Sequence, residues 1–217
     1  MTWQMFDRAA EGYEAWYSTR RGQLADAAER RLLQHLLQGF EDSLSAIEIG
    51  CGTAHFTAFL ATRGLKVIGV DRAHAMLLEA RRRVSLSLIL GDAHHLPFRA
   101  LSVDLAIFVT TLEFLEDPVC AIREAVRVAR QGIITIVLNR YSLGGLSRRW
   151  GPQSRAPLLG KARDYSSRQL RGELKDAGGS RVVSILMAST LFPCSLAENI
   201  SRITLGEVIG CAVKLKP

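Results

Sequence analysis

The stretch Ala46-Ile47-Glu48-Ile49-Gly50-Cys51-Gly52-Thr53-Ala54 constrains this chain more than any other. It reads as a short apolar strand that ends in a glycine-rich turn and passes into a helix beginning near His55. Two glycines separated by one residue let the backbone turn tightly and approach a ligand where a Cβ would collide. The helix start that follows offers unpaired N–H groups to electron-rich atoms, and Glu48 adds a carboxylate beneath the same turn. Such turns also occur for packing reasons alone, so this one needs support from elsewhere. Leu65-Lys66-Val67-Ile68-Gly69-Val70 supplies it as a second strand ending on Asp71, 19 residues after Gly52. In a doubly wound sheet an acid there stands at the tip of the neighbouring strand, within reach of ribose hydroxyls.

Two ligand classes fit a turn and an acid so placed: a nicotinamide or flavin dinucleotide, and S-adenosylmethionine (SAM). The dinucleotide pattern asks for a third glycine for close helix–strand packing, and His55 occupies that position. SAM has no pyrophosphate, and its α-ammonium calls for a carboxylate or carbonyls nearby. Glu-x-Gly-x-Gly therefore suits SAM better.

The rest of the chain alternates helix and strand. Residues 1–23 are dense in aromatics (Trp3, Phe6, Tyr13, Trp16, Tyr17), near helical spacing. They form either a helix packed on the sheet or a lid whose tyrosines line the ligand cleft. Leu24 to Phe40, His55 to Arg63 and Ala73 to Val84 read as helices, the second stopped by Gly64. Leu86 to Leu90 is a third strand, running into Gly91-Asp92-Ala93-His94-His95-Leu96-Pro97-Phe98. Asp92 has the chemistry to accept from an exocyclic amine, with the Ala93 N–H placed to donate to a ring nitrogen. The His94-His95 pair predicts no metal site, since adjacent residues on extended backbone point apart and no third ligand is near. Val103 to Val109 is a fourth strand, apolar as one buried on both faces should be. Its exit, through Thr110, Thr111 and Glu113, lies where ligands meet a doubly wound sheet. Asp117-Pro118 caps a helix to about Arg130, Gly132 ends it, and Ile133 to Leu138 is the fifth strand. Residues 139–166 lose periodicity and read as a substrate cap, with Arg148, Arg149, Trp150 and Arg155 as candidate contacts. A helix from Ser167 through Ala177 follows, then strands Arg181 to Ser189 and Leu205 to Leu215, the last antiparallel. The fold class is thus α/β, a doubly wound, seven-stranded, mostly parallel sheet with one antiparallel C-terminal strand.

Glu48-x-Gly50-x-Gly52, Asp71 and Gly91-Asp92-Ala93 together resemble the motifs of the class I SAM-dependent methyltransferases. Within them the chain is similar to the type 11 group that includes ubiquinone/menaquinone-biosynthesis enzymes. That resemblance implies that Glu48, Gly50, Cys51 and Gly52 flank the methionine moiety and that Asp71 takes the ribose diol. It places Arg72 and Met76 beside the adenine, has Gly91, Asp92 and Ala93 read its edge, and puts Val109 and Thr110 behind the sulfonium. Tyr13, Tyr17, His94 and Glu113 are the candidate acceptor-side groups; many relatives carry histidine where Glu113 stands. The Asn/Asp-Pro-Pro-aromatic turn of enzymes that methylate amino groups in nucleic acids is missing after the fourth strand, which counts against that role.

At 217 residues, 48% of them hydrophobic, the chain is one domain over 1–217 with a full core, residues 1–40 forming the helical lid. No apolar run spans a bilayer, and no signal-peptide pattern opens the chain. The scattered Cys51, Cys120, Cys194 and Cys211 point to a cytoplasmic protein with reduced thiols. A net charge of +7 permits an anionic partner without requiring one. The expected function is transfer of a methyl group from SAM to a small molecule, leaving S-adenosylhomocysteine (SAH). A SAM- or SAH-binding regulator without transfer activity and an RNA methyltransferase are the alternatives; the sequence leaves oligomeric state and acceptor open.

Overall fold

A computed structural model describes residues 3–143, 146, 159–190, 200 and 206–216. Three helices, α1 (Trp3–Tyr13), α2 (Ala15–Ser18) and α3 (Arg20–Leu37), precede the sheet. Then come β1 (Ser45–Ile49), α4 (His55–Ala61), β2 (Lys66–Asp71), α5 (His74–Arg83), β3 (Ser87–Leu90) and β4 (Val103–Val109). The chain continues through α6 (Pro118–Val128), β5 (Ala129–Leu138), α7 (Ser167–Gly178), β6 (Val182–Ser189) and β7 (Val208–Leu215). The strand order is β3-β2-β1-β4-β5-β7-β6. The first five strands pair in parallel, and β7 runs antiparallel to both β5 and β6. The order reverses between β1 and β4, which sets a crevice at their carboxyl ends.

Alternation along the central strands fills both faces. Ala106 and Phe108 of β4 point to one side, with Ile122 and Ala125 of α6 and Leu170 and Leu174 of α7. Leu105, Ile107 and Val109 point to the other, with Leu32, Leu33 and Leu36 of α3 and Phe56, Phe59 and Leu60 of α4. All seven residues of β4 are buried, Asp104 among them, as a strand covered on both faces requires. At the strand bases Asp104 accepts from the Leu44 and Ser45 N–H groups at 3.0 and 2.9 Å and from Arg130 Nε at 3.0 Å. Among the described residues no helix is long and apolar enough to cross a membrane.

Several boundaries differ from the sequence expectation. Helix α3 starts at Arg20 rather than Leu24 because the Thr19 side chain caps it, accepting the Gly22 N–H at 3.0 Å. The expected turn at Gly132 is absent. Ala129 is already extended (φ −83°, ψ 136°), so β5 follows α6 at once and Gly132 lies within the strand. It is glycine for space: a Cβ there would sit 2.3 Å from the Phe40 ring and 2.6 Å from the Val213 carbonyl oxygen. Strand β6 opens at Val182 because Gly179–Arg181 form a 3-10 turn, while the Arg181 guanidinium bonds the Ala129 and Lys216 carbonyls at 3.0 and 2.9 Å. Strand β7 starts at Val208; Leu205 lies outside the described residues, as do Arg148, Arg149, Trp150 and Arg155 of the expected cap. The two ends of that connection are pinned together. Arg140 N–H donates to the Tyr165 carbonyl at 2.8 Å, and Tyr165 N–H to the Leu138 carbonyl at 2.9 Å.

Candidate functional site

The turn after β1 is fixed by its neighbours. The Gly50 and Cys51 N–H groups both donate to the Val70 carbonyl of β2, at 2.7 and 3.0 Å. Gly50 (φ +75°) presses against the exit of β4, where a Cβ would meet Thr111 Cγ2 at 2.2 Å. Gly52 (φ +53°) differs: a Cβ there would meet nothing within 4 Å, so the space beside its Cα is open. Ala54 and Thr110 adopt φ of +62° and +47° without being glycine. Such backbone costs about 1–3 kcal/mol per residue and gathers at functional sites.

Three carboxylates surround this turn, each held differently. Glu48 is buried beneath it and accepts the Thr57 hydroxyl of α4. Burial pushes its carboxyl up to about 8, against the Thr57 hydrogen bond and with help from Asp71. Asp71 accepts the Gly52 N–H at 2.7 Å on one oxygen and the Ala73 N–H at 2.7 Å on the other. Burial raises it too, in spite of those bonds. The Arg72 N–H also bonds to the carboxylate, and since a carboxylate accepts about four hydrogen bonds it keeps at least one acceptor position free. Burial also raises Asp92, but this is outweighed by the His94 N–H at 3.0 Å, His94 Nδ1 at 2.7 Å and Arg72 at 3.1 Å, which hold it below its ordinary value. His94 Nε2 accepts the Asp117 N–H at 3.4 Å, which assigns the ring proton to Nδ1. Both nitrogens of His94 are thereby engaged, and its visible task is to hold Asp92.

The N-terminal helices close one side. Asp7 of α1 accepts the Ala75 N–H at 2.8 Å, satisfying an orphan donor in the first turn of α5. Phe6 meets Phe114 edge-on with centroids 4.8 Å apart. Tyr17 stacks on His55 at 3.8 Å and 11°, and His55 Nε2 lies 2.8 Å from Asp26 of α3. Glu14 joins the same contact, pairing with Arg83 at 2.5 Å and accepting the Thr53 hydroxyl. His55, where a dinucleotide site would place glycine, instead ties the leader to the turn.

These parts line one cavity at the carboxyl ends of β1, β2 and β4. Glu48, Gly50, Cys51, Gly52, Asp71, Arg72, Met76, Gly91, Asp92, Ala93, Val109 and Thr110 all face it, as do Tyr13, Tyr17 and His94. Burial raises the Cys51 thiol well above its ordinary value, so it stays protonated there. Glu113 is the correction. It does not line the cavity; its carboxylate turns inward and accepts the Leu138 N–H at the end of β5, at 2.6 Å. A backbone donor left at a strand end competes for the nearest acid, and here it wins. Trp3, Phe6, Phe56 and Phe114 also line the cavity. The aromatic density of the leader signals the first two, whereas nothing in the sequence marks Phe114. Among the described residues no group of three or more His, Cys, Asp or Glu side chains could hold a metal ion.

Comparison with known proteins agrees with this geometry. A family model described as a methyltransferase domain, type 11, matches residues 47–137. The malonyl-[acyl-carrier protein] O-methyltransferase of Yersinia pestis is 32% identical over 148 residues, 67% of this chain and 53% of that protein. The chain thus spans about half the length of that curated relative. A solved structure from Thermotoga maritima, described as a SAM-dependent methyltransferase and "possible histamine N-methyltransferase", superposes with a TM-score of 0.84. It is 26% identical and covers 99% of each chain. Magnesium protoporphyrin IX methyltransferase from Synechocystis, solved with bound SAH, shares the fold at a TM-score of 0.67, with 16% identity and full coverage of both chains.

Proposed function

The chain belongs to the type 11 family of class I SAM-dependent methyltransferases, and from that premise we propose that it methylates a small molecule. The observation that carries the reading is the cavity itself. It places a buried acid under a glycine turn, open space beside the Gly52 Cα, and a second acid at the tip of β2. That donor set fits SAM. Glu48 supplies negative charge for an α-ammonium, Asp71 has an acceptor position left for a ribose hydroxyl, and Met76 with Ala93 gives an apolar wall for a base. Asp92 would read the base edge, with Arg72 and His94 fixing the carboxylate in place.

SAM bound there supplies an already activated methyl group, so the protein's own task is alignment and exclusion of water. The leader serves the second need: α1 and α2 cover the cavity through Phe6, Tyr13 and Tyr17. The strained backbone of Thr110 carries the end of β4 onto the cavity wall. No nucleophile–base pair is required of the enzyme unless the acceptor arrives protonated. We extend the proposal to the 139–166 connection as the acceptor cap and to a cytoplasmic setting, in which Cys51, Cys120 and Cys211, all free thiols, stay reduced. The quinone-biosynthesis group and the malonyl relatives each offer an acceptor class. The reading commits only to a small molecule methylated on O, N or C.

The test is methyl release from labelled SAM. With a metabolite extract, label is expected in the small-molecule fraction, insensitive to salt. Label in bulk RNA with a steep salt dependence would replace this reading with the RNA one. SAM binding without any transfer would make the chain a binding protein.

A further inference from the structure

Beyond the cofactor's share of the cavity, what is left of the lining is mostly aromatic. Phe6 of α1 meets Phe114 edge-on, with centroids 4.8 Å apart and planes at 83°, and Tyr13 meets Phe6 at 6.4 Å and 64°. An edge-on contact uses the face of one ring and the edge of the other, so ring faces remain for a third ring. Phe114 is aimed by its neighbour. Glu113 is anchored twice: its carboxylate accepts the Leu138 N–H at 2.6 Å, and its carbonyl accepts the Arg163 N–H at 3.0 Å. Both bonds hold the single 3-10 turn Leu112–Phe114, in which successive side chains point about 120° apart. With Glu113 turned into the protein, Phe114 faces the cavity beside Leu115.

Among the described residues, this lining offers an incoming acceptor no disengaged, sheltered base. Glu48 and Asp71 belong to the cofactor end. Asp92 and His94 hold each other at 2.7 Å, with the second His94 nitrogen on the Asp117 N–H, and His55 Nε2 lies 2.8 Å from Asp26. Burial keeps the Tyr13 and Tyr17 phenols and the Cys51 thiol protonated. Glu116 is the remaining acid of the described lining, and it is exposed to solvent. Residues 144–158, within the expected cap, contain no His, Asp, Glu, Lys, Tyr or Cys. A nucleophile that must first lose a proton is poorly served here, whereas an aromatic ring nitrogen brings its own lone pair. We propose that the acceptor is an uncharged aromatic nitrogen heterocycle, seated against Phe6 and Phe114 and methylated on that ring nitrogen. The proposal rests on the SAM-dependent reading and names the acceptor class of that same site. The lone pair forms the N–CH3 bond as the S–CH3 bond breaks and its electron pair stays on sulfur. The sulfonium becomes the thioether of SAH and the ring takes up the positive charge; an imidazole-type ring then gives its N–H proton to water. Glu113 is a positioning residue, acting through Phe114.

The experiment uses the full chain with three probes: benzimidazole; indole, which keeps the ring shape but lacks the free lone pair; and 2-naphthol, which carries a hydroxyl. Calorimetry at saturating SAH is expected to show benzimidazole and indole binding within about threefold of each other. Labelled SAM should pass its methyl group to benzimidazole at least tenfold faster than to 2-naphthol, and not to indole. The rate should rise with pH only as the ring itself loses its proton, so the midpoint should move when the more basic imidazole replaces benzimidazole. Phe114→Leu should weaken both bicyclic rings about threefold or more and leave SAH affinity within twofold. Glu113→Ala should raise KM for benzimidazole with SAH affinity unchanged, and Glu113→Gln, which keeps an oxygen for the Leu138 N–H, should restore it. A midpoint that stays fixed between imidazole and benzimidazole would mark a base in the enzyme and overturn the proposal. Faster labelling of 2-naphthol, or failure to bind either bicyclic ring, would overturn it too. All three results leave the methyltransferase reading standing if SAH still binds; absence of SAH binding removes that reading and the proposal with it.

Discussion

The carboxylate of Asp71 accepts the Gly52 N–H at 2.7 Å, so the tip of β2 closes the turn that follows β1. One side chain thus shapes the ligand turn and, in the proposed site, meets the ribose. Asp71→Ala should weaken SAM binding by about 1–3 kcal/mol, roughly five- to 150-fold, measured by calorimetry. An unchanged affinity would remove Asp71 from the site.

The two glycines of the turn should fail differently. Gly50→Ala places a Cβ 2.2 Å from Thr111 Cγ2 on backbone at φ +75°. The expected cost is about 1–3 kcal/mol of stability, seen as a lower Tm. Gly52→Ala meets no atom within 4 Å. It should cost about 1 kcal/mol in stability yet weaken SAM at least tenfold, because the methyl group enters the space the ligand uses. Equal losses of binding and stability at both positions would contradict this division.

In the proposed site, the raised pKa of Glu48 makes SAM binding pH-linked. Its carboxyl is raised to about 8 in the folded chain, against about 4.3 for a free glutamate. Between those values the folded state holds a proton that the unfolded state has lost, so Glu48 makes the protein less stable as pH rises through this window. A bound ammonium favours the ionised form, so SAM binding at pH 7 should release close to one proton. Calorimetry in two buffers of different ionisation enthalpy reads this directly. Glu48→Gln should abolish the release and flatten stability between pH 5 and 8; a buffer-independent heat in the parent would refute the linkage.

Asp104 gives the opposite slope. Burial raises it, but bonds from Ser45, Leu44 and Arg130 win and hold it below its ordinary value. Its stabilisation is present above the unfolded carboxylate pKa and is lost as pH falls through the folded one. Asp104→Asn should therefore lower Tm most at pH 7, and the loss should shrink as pH falls below the ordinary carboxylate range, measured by thermal melts; a loss independent of pH would contradict an ionic role.

Helices α1 and α2 should behave as a cover. Hydrogen exchange over residues 3–18 is expected to slow on SAH binding, since Tyr13 and Tyr17 line the cavity and Tyr17 stacks on His55 at 3.8 Å. Asp7→Ala, which frees the Ala75 N–H, should cost about 1 kcal/mol and speed exchange there. Exchange that ignores SAH would make this segment plain packing.

What the sequence discloses is local. Gly50, Gly52 and Asp71 are legible because glycine backbone and strand-tip acids act within one β–α–β unit, and Asp92 because its loop follows directly from β3. What it hides is long-range. Glu113 reads as an acceptor-side acid, yet its partner is the Leu138 amide of another strand. His55 reads as a missing glycine, whereas its role comes from Tyr17 and Asp26 folding back onto it. Gly132 reads as a turn because glycine does so by default, and only the packed Phe40 ring shows that it is there for space. Phe114 joins the cavity through a contact with Phe6 that no spacing encodes.

Calorimetric titration of the full chain with SAM, SAH and NAD tests the central claim most directly. Saturable one-to-one binding of SAM and SAH is expected, lost together in Asp71→Ala, with no saturable heat from NAD. Saturable NAD binding with no response to either adenosyl ligand would contradict it.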